Sequence, residues 1–269
     1  MTRARIGSLL AALIVASALI GPWLVPHDPI RPNYLVRYAA PSAEHWLGTD
    51  GLGRDVLARS LAGGRVSLAI SAGATALAVL LGLVTGLAAA GLRGATDVVL
   101  TRGFDALLAF PGFLLVLLLV TILGGGVWQT VLALGVAGSP LFFRLVRAYT
   151  RTELRRDYVL AGTALGASRA RLVFRHALPN FLGALAVQAA STAATFLLVE
   201  ASLSFLGLGT QPPTPSLGLM LSESRDYMLI SGWTSFFSGF AILIASLGFN
   251  LFGDGLRDIV DPALRGVDG

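Results

Sequence analysis

Few residues in this 269-residue chain could perform covalent or metal chemistry. The chain has no cysteine, which excludes disulfides and thiolate metal sites. Its three histidines, His27, His45 and His176, are scattered, so a metal site built from clustered histidines is not expected. The glycine-rich stretch GTDGLGRD (48–55) lacks the Gly-Lys-Ser/Thr of a phosphate-binding loop, and no such motif occurs elsewhere. We therefore predict no catalytic residue, metal or cofactor in this chain, and no ATP hydrolysis by it.

The charges within that glycine-rich stretch fit a structural role. We interpret Asp50, Arg54 and Asp55 as turn and capping groups, because aspartate commonly caps turns and helix starts. Contact with a partner protein is the alternative. A short amphipathic helix around Arg54 to Leu61 is plausible.

Four polar residues stand out within a long apolar segment. Gln188, Thr192 and Thr195 follow helical spacing and share one face. Hydrocarbon cannot satisfy such a face, so we expect it to line a pathway or contact another subunit. An acid within a membrane helix is costly and suggests function, which makes Glu200 a further pathway candidate that could contact an ammonium group. Alternatively, Glu200 reaches water near its helix end or pairs with Arg225.

The elements that carry these residues are membrane helices. Hydrophobic residues make up 55% of the chain and charged residues 13%, whereas soluble proteins carry about 25% charged residues. Unbroken apolar runs of roughly 20 residues indicate an all-α integral membrane protein. We predict six spans, at about 6–25, 66–92, 104–123, 127–146, 181–203 and 236–252. The first could be a signal peptide, but Gly21-Pro22-Trp23 is not a small-residue cleavage site, so a retained helix is favoured.

The arginines predict the topology. With the N-terminus inside, fourteen of the twenty arginines lie on the cytoplasmic side, eight of them between residues 144 and 175. This agrees with the positive-inside rule and places both termini in the cytoplasm. Glycines at 73, 82, 86 and 91 punctuate the second span and favour close helix packing, with a lining of the pathway as the alternative.

A compact basic segment, DYVLAGTALGASRARLVFRHALPN (157–180), separates two apolar spans. We predict a helix over 157–165 that ends at Gly166, because glycine suits the left-handed position after a helix. Ser168 can then cap a second helix that places Leu172 on one side. Pro179 ends this helix or begins the next span. The helix–turn–helix could rest on lipid headgroups or dock a soluble partner, and the physics alone favours neither.

The segment resembles the Glu-Ala-Ala loop of permease subunits in ATP-binding-cassette importers. Ala161, Gly166, Leu178 and Pro179 match that pattern at the right spacing, while Leu160 stands where the family usually has glutamate. Three further stretches, 45–68, 200–221 and 252–265, resemble the second permease subunit of dipeptide, oligopeptide and nickel importers. Together the matches extend, in order, over nearly the whole chain.

The resemblance implies a type I permease fold with six transmembrane helices and a cytoplasmic coupling helix. It implies a permease domain at 66–260 with its coupling loop at 150–180, preceded by a helix and outside linker at 1–65 and followed by a cytoplasmic tail at 261–269. Nine residues would couple the loop to an ATPase: Ala161, Gly162, Ala164, Gly166, Ala167, Ser168, Arg169, Leu178 and Pro179.

The implied function is to form half of a translocation pathway for peptides or a related solute, such as a nickel chelate, in a bacterial or archaeal plasma membrane. The implied partners are a second permease subunit, two ATP-binding subunits and an extracytoplasmic binding protein, with no nucleic acid. Two alternatives remain open, a self-contained secondary transporter and an intramembrane enzyme. The first would need inverted repeats, and the second catalytic groups at membrane depth.

Overall fold

The computed structural model describes residues 23–92 and 94–260, together with Leu9, Ala12, Leu13, 16–18, Ile20 and Gly21. The described residues between 9 and 24 are all helical. The rest of the predicted first span lies outside the described residues, as does the predicted tail at 261–269.

From residue 25 onward the described chain is helical, apart from connecting segments. The helices are α1 (Val56–Leu92), α2 (Ala95–Leu108), α3 (Gly112–Leu123), α4 (Val127–Glu153), α5 (Asp157–Ala164), α6 (Arg169–Phe205), α7 (Leu217–Ser224) and α8 (Gly232–Val260). Short 3₁₀ turns occur at Tyr34–Val36 and Arg225–Tyr227. Extended pairing among the described residues amounts to one isolated bridge, between Thr49 and Asp55. The all-α class is therefore confirmed.

Four of these helices are long and apolar enough to cross a membrane within the described residues. They are Val56–Leu92, Val127–Glu153, Arg169–Phe205 and the Gly232–Gly253 part of α8. The pair formed by α2 and α3 would make a fifth if it acts as one bent span. The described residues thus account for four or five of the six predicted spans, and the count of six stays a prediction.

The third predicted span, 104–123, is not one continuous helix. It divides into α2 and α3, whose axes meet at 92°. The break falls at Phe110-Pro111-Gly112, and Pro111 precedes the first residue of α3 with an extended ψ of 126°. Proline disfavours helical geometry in the residue before it, so an apolar run that hydropathy treats as one span becomes a sharp corner.

Three other helices are longer than predicted. Helix α1 begins at Val56, ten residues before the predicted span, so the predicted domain boundary at 65/66 falls inside a helix. Helix α4 continues to Glu153, and α6 begins at Arg169. The predicted spans stop short of the charged helix ends because apolarity, not helicity, defines their limits. The short helices predicted around Arg54 to Leu61 and after Ser168 are continuous with α1 and α6.

Small residues bring α1 and α4 together. A Cβ added to Gly82 would lie 2.3 Å from Phe142 Cβ, and one on Gly86 would lie 2.8 Å from Val146 Cβ. Neither distance is possible between non-bonded carbon atoms, so α1 and α4 can approach this closely only with glycine at both positions. The prediction that glycines in this helix serve packing is confirmed for Gly82 and Gly86, while Gly91 has open space around it.

The bundle has two ends that carry different loops. The loop end is formed by residues 25–55, 206–216 and 225–231, and the Gly126 amide donates to the Gly209 carbonyl there at 2.9 Å. The arginine end is formed by the last turns of α4, by α5 and by the start of α6. All candidate coupling residues lie at the arginine end.

Candidate functional site

The segment 157–180, termed the knob, is a helix–turn–helix as predicted. Helix α5 covers Asp157–Ala164, and Gly166 follows with a φ of +80°. The Gly166 amide donates to the Thr163 carbonyl at 3.0 Å, which closes the turn. Ser168 caps the second helix, because its Oγ accepts from the Arg171 amide at 3.4 Å. The sequence signals of the turn and the cap are both confirmed.

The second helix of the knob joins the following span without a stop. Residues Leu172–Ala177 form a π-helical segment, and α6 then continues through Pro179 to Phe205. Within this segment the Leu178 amide donates to the Val173 carbonyl, five residues earlier. Pro179 has no amide hydrogen, so a helix that passes through it loses one of the usual backbone hydrogen bonds. The π-helical segment just before Pro179 accommodates the missing bond. Of the two predicted roles of Pro179, the structure therefore favours the start of the span.

The knob has a buried side and an exposed side. Val159, Leu172, Val173 and Ala177 are buried against the bundle. Leu165, at the tip of the turn, is 89% exposed. The predicted coupling residues Ala161, Ala164, Gly166, Ser168, Arg169 and Pro179 are exposed, while Gly162, Ala167 and Leu178 are half-buried. The exposed side is therefore a small apolar and glycine-rich surface with arginines beside it.

Glu153, the last residue of α4, ties the knob to the bundle. Its Oε2 accepts from Tyr158 Oη at 2.6 Å and from Asn180 Nδ2 at 3.0 Å, and its Oε1 pairs with Arg156 Nε at 2.9 Å. Tyr158 belongs to α5 and Asn180 to α6, so one buried carboxylate connects three helices. Burial and the hydrogen bond to Glu153 raise the pKa of the Tyr158 phenol, which keeps it a donor.

A second acidic group holds α4 to α2. Asp97 accepts two hydrogen bonds from Arg147. Arg147 Nε lies 2.6 Å from Asp97 Oδ1, and Arg147 Nη2 lies 3.1 Å from Asp97 Oδ2. Arg151 Nη2 also donates to Asp97 Oδ2. Arg147 and Arg151 lie beyond the predicted span at 127–146, and no role was predicted for Asp97 or Glu153. Arg147 and Arg151 are four residues apart, so they share one face of a helix, and this spacing was the available signal for a shared acidic partner.

The predicted pathway face of α6 is only partly exposed. Gln188 Nε2 donates to Thr192 Oγ1 at 3.4 Å, so these two share a face as predicted. Thr195 is exposed, and its hydroxyl donates to the Ser191 carbonyl at 3.1 Å. Thr192 is buried. Gln188 and Thr195 are thus the members of the set with accessible surface.

Glu200 lies near the end of α6, as predicted, and it has no exposed surface in this single chain. It therefore does not reach water at its helix end, and its role in a pathway stays a prediction. Its Oε1 accepts from Ser204 Oγ at 2.7 Å and Thr210 Oγ1 at 3.5 Å. It does not pair with Arg225, whose guanidinium lies near Asp226. The hydroxyl groups come from α6 and from the loop that follows, so Glu200 holds that loop against its own helix.

The loop end contains a largely buried cluster of four charges. Asp50 and Glu223 are the acids, and Arg54 and Arg59 are the bases. Arg54 Nε lies 2.7 Å from Asp50 Oδ2, and Glu223 Oε2 accepts from Arg54 Nη2 at 2.8 Å and from Arg59 Nη2 at 2.7 Å. The cluster joins the start of α1 to α7.

The capping roles predicted in this region are confirmed. Asp50 Oδ1 accepts from the Leu52 and Arg54 amides, each at 2.9 Å, which closes the turn before α1. Asp55 Oδ1 accepts from the Ala58 amide at 2.7 Å and caps α1 itself. The partners Arg59 and Glu223 were not predicted, because 164 positions separate them in the sequence.

The histidines are less scattered than the sequence suggested. The rings of His27 and His45 lie 4.7 Å apart between centroids, and His45 Nδ1 is 2.9 Å from Asp55 Oδ2. Eighteen positions separate the two histidines, and the irregular chain between them returns on itself. His176 lies at the opposite end, within the knob.

The chain is similar to known membrane transport components over almost its whole length. Residues 78–266 match the family described as "binding-protein-dependent transport system inner membrane component". The dipeptide transport system permease protein of Alkalihalophilus pseudofirmus is 38% identical over 262 residues, covering 97% of this chain and 86% of that protein. The di/tripeptide transport system permease protein of Pseudomonas aeruginosa is 41% identical over 265 residues, covering 96% and 88%.

A third relative is named for a different solute. The glutathione transport system permease protein of Pectobacterium atrosepticum is 38% identical over 258 residues, covering 96% of this chain and 86% of that protein. None of these three names mentions nickel, which leaves that part of the predicted resemblance without support. Given these matches and the apolar helices, the chain belongs to the inner membrane components of binding-protein-dependent transport systems, as a multi-pass permease subunit of an ATP-binding-cassette importer.

Proposed function

We propose that this chain forms half of the translocation pathway of a peptide importer and that its knob receives an ATPase subunit. The observation that carries the proposal is the knob itself, an exposed apolar tip on a buried support. Leu165 is 89% exposed at this tip, and exposed apolar surface on a rigid element is typical of a protein-binding site. The substrate class is inferred from relatives named for dipeptides, di- and tripeptides and glutathione.

The support of the knob is what would transmit movement. Val159 and Leu172 pack the knob on the bundle, and Glu153 joins the end of α4 to Tyr158 and Asn180. A displacement of the knob by a partner would therefore move α4 and α6 together instead of bending a loop. Closure of ATPase subunits around ATP would supply the free energy, because ATP binds the two states of the complex with different affinity.

Glu153 takes the place of the acid that the loop pattern lacks. Leu160 occupies the position where the family usually has glutamate, so no salt bridge can start there. Glu153, seven residues earlier, provides a carboxylate with three side-chain partners inside the same segment. We infer that the attachment of the knob depends on this residue.

The arginine end is proposed to face the cytoplasm, with both termini on that side. The positive-inside distribution of arginine supports this orientation. The loop end would then face the extracytoplasmic binding protein. A second, similar permease would pack against this one, with Gln188 and Thr195 towards the shared pathway, because polar side chains on a membrane helix are not left in lipid.

The test is co-purification of the chain with the ATPase and permease subunits encoded beside it, followed by measurement of ATPase stimulation by loaded binding protein. Leu165→Arg should abolish both co-purification of the ATPase and the stimulation. Leu35→Arg is the matched control, since Leu35 is 96% exposed at the opposite end of the molecule. That control should retain co-purification of the ATPase.

Normal co-purification and stimulation in Leu165→Arg would refute the docking role of the knob. Uptake of solute by the chain without any ATPase would favour the alternative of a secondary transporter. Gly166→Ala adds a second test, because no atom lies within 4 Å of the added Cβ, so the variant changes only the backbone preference at φ +80°. It should weaken stimulation without affecting membrane insertion.

A further inference from the structure

Three potential metal ligands meet at the loop end. His27, Glu44 and His45 each offer one ligand atom, and these atoms all lie within 4.8 Å of one another. His45 is buried, His27 is half-buried and Glu44 is exposed, so the group runs from the interior to the surface. The residues come from two segments, the turn after the N-terminal helix and the loop before α1.

Asp55 orients the buried histidine. His45 Nδ1 lies 2.9 Å from Asp55 Oδ2, and the other oxygen of Asp55 is held at 2.7 Å by the Ala58 amide in the first turn of α1. With Nδ1 donating to this carboxylate, the Nε2 of His45 keeps its lone pair and can bind a cation. A histidine that donates one nitrogen to a carboxylate and binds metal with the other is a common arrangement.

The surroundings leave space for an ion and bring acidic groups close to it. His27, His45 and Asp55 border a cavity of about 340 Å³. Asp28, Arg31 and Arg54 also border this cavity. The guanidinium of Arg54 is engaged by Asp50 and Glu223. Glu44 and Asp55 bring two negative charges, whereas the two histidines are neutral in the form that binds metal.

We propose that His27, Glu44 and His45 bind one Zn²⁺ ion, with Asp55 as the hydrogen-bond acceptor that positions His45. Two imidazoles and one carboxylate are a ligand set that Zn²⁺ takes readily, with water completing the tetrahedron. The potential ligand atoms lie up to 4.8 Å apart, so binding would draw the exposed Glu44 and the half-buried His27 inwards. The ion would fasten the turn at residue 27 to the loop that caps α1.

The experiment uses the full chain, purified in detergent without a histidine tag and stripped with a chelator. ZnCl₂ is titrated in competition with a chromophoric indicator, and thermal unfolding is followed with and without the metal. One equivalent should bind, and the Tm should rise. His27→Ala and Glu44→Gln should each weaken binding by more than about tenfold and remove most of the Tm rise, and Asp55→Asn should weaken binding by roughly 10- to 100-fold.

His176→Ala is the matched control, because His176 is the third histidine and lies exposed in the knob. It should bind Zn²⁺ like the unmodified chain. The proposal is overturned if His27→Ala and Glu44→Gln retain full affinity, if His176→Ala loses it, or if the unmodified chain shows no saturable binding. The decision rests on His27 and Glu44, whose side chains reach the surface, so their replacement leaves the buried packing in place.

Discussion

The two ends of the bundle pair their charges in different surroundings. At the loop end, Asp50 and Arg59 are each 1% exposed, and they share a cluster with the buried Arg54 and the partly exposed Glu223. At the arginine end, Arg151 and Arg156 are well exposed, and their acidic partners Asp97 and Glu153 are much less so. The two clusters therefore have different tolerance for movement.

This difference fits two mechanical roles. A mostly buried cluster resists separation, because its buried charges would be left without their partners in a medium of low polarity. Half-exposed pairs can exchange a protein partner for water at little cost. We infer that the loop end acts as a fixed cap that joins α1 to α7, while the arginine end can shift when a partner pulls on the knob.

The largest effect is expected from breaking the buried cluster. Arg59→Met removes one base and leaves Glu223 and Asp50 with Arg54 alone, which should destabilise the chain by roughly 3–5 kcal/mol. Thermal unfolding in detergent measures this. Arg225→Met, which changes an exposed arginine at the same end, should cost less than about 0.5 kcal/mol. Equal effects of the two substitutions would contradict the fixed cap.

Local signals in the sequence were sufficient to predict the knob. Gly166 and Ser168 act within one turn of the chain, and the structure places both as the sequence indicated. The apolar runs likewise predicted α1, α4, α6 and α8. Hydropathy failed at Pro111, where local backbone geometry turns a run of apolar residues through 92°.

Contacts between distant segments could not be predicted from one sequence. Arg59 and Glu223, like Arg147 and Asp97, meet only because helices far apart in the chain pack together. Glu200 shows a different difficulty. An acid is costly to place in a membrane helix, and this cost suggested a functional role. The hydroxyl groups that surround it were visible in the sequence, but their position around the carboxylate was not.

The next largest effect is expected at the arginine end, on coupling more than on stability. Glu153→Gln keeps the size of the side chain and an acceptor for Tyr158, but removes the pair with Arg156, so we expect a loss of about 1–2 kcal/mol in stability. The ATPase stimulation of the assembled importer should fall several-fold. Asp226→Asn, which neutralises an exposed acid at the loop end, is the control. Unchanged stimulation in Glu153→Gln would show that the knob is held by packing alone.

A smaller effect is expected from pH at the loop end. Burial raises the pKa of Tyr227 to about 12 from its ordinary value of 10.0. An acid whose pKa is raised by folding contributes stability that is present below pH 10 and lost as the pH rises through about 12. Tyr227→Phe should therefore reduce the loss of stability in this window, measured by thermal unfolding across the pH range. Tyr34→Phe, which changes an exposed tyrosine, controls for the loss of a hydroxyl group. If Tyr227→Phe and the unmodified chain lose stability equally with rising pH, the raised pKa of Tyr227 is contradicted.

The smallest effect is expected from an exposed ion pair at the arginine end, and a partly buried pair at the same end provides the comparison. Arg144 and Asp105 are both substantially exposed, with Nη2 at 2.8 Å from Oδ1, so Arg144→Ala should change stability by less than about 0.5 kcal/mol. Arg147→Ala removes a two-point contact to a largely buried carboxylate and should cost about 1–2 kcal/mol. Added salt should lessen the effect of the first substitution more than that of the second, because solvent screens exposed charges. If the two substitutions cost the same and respond equally to salt, the arginine end is as rigid as the loop end, and the contrast between fixed cap and movable support does not hold.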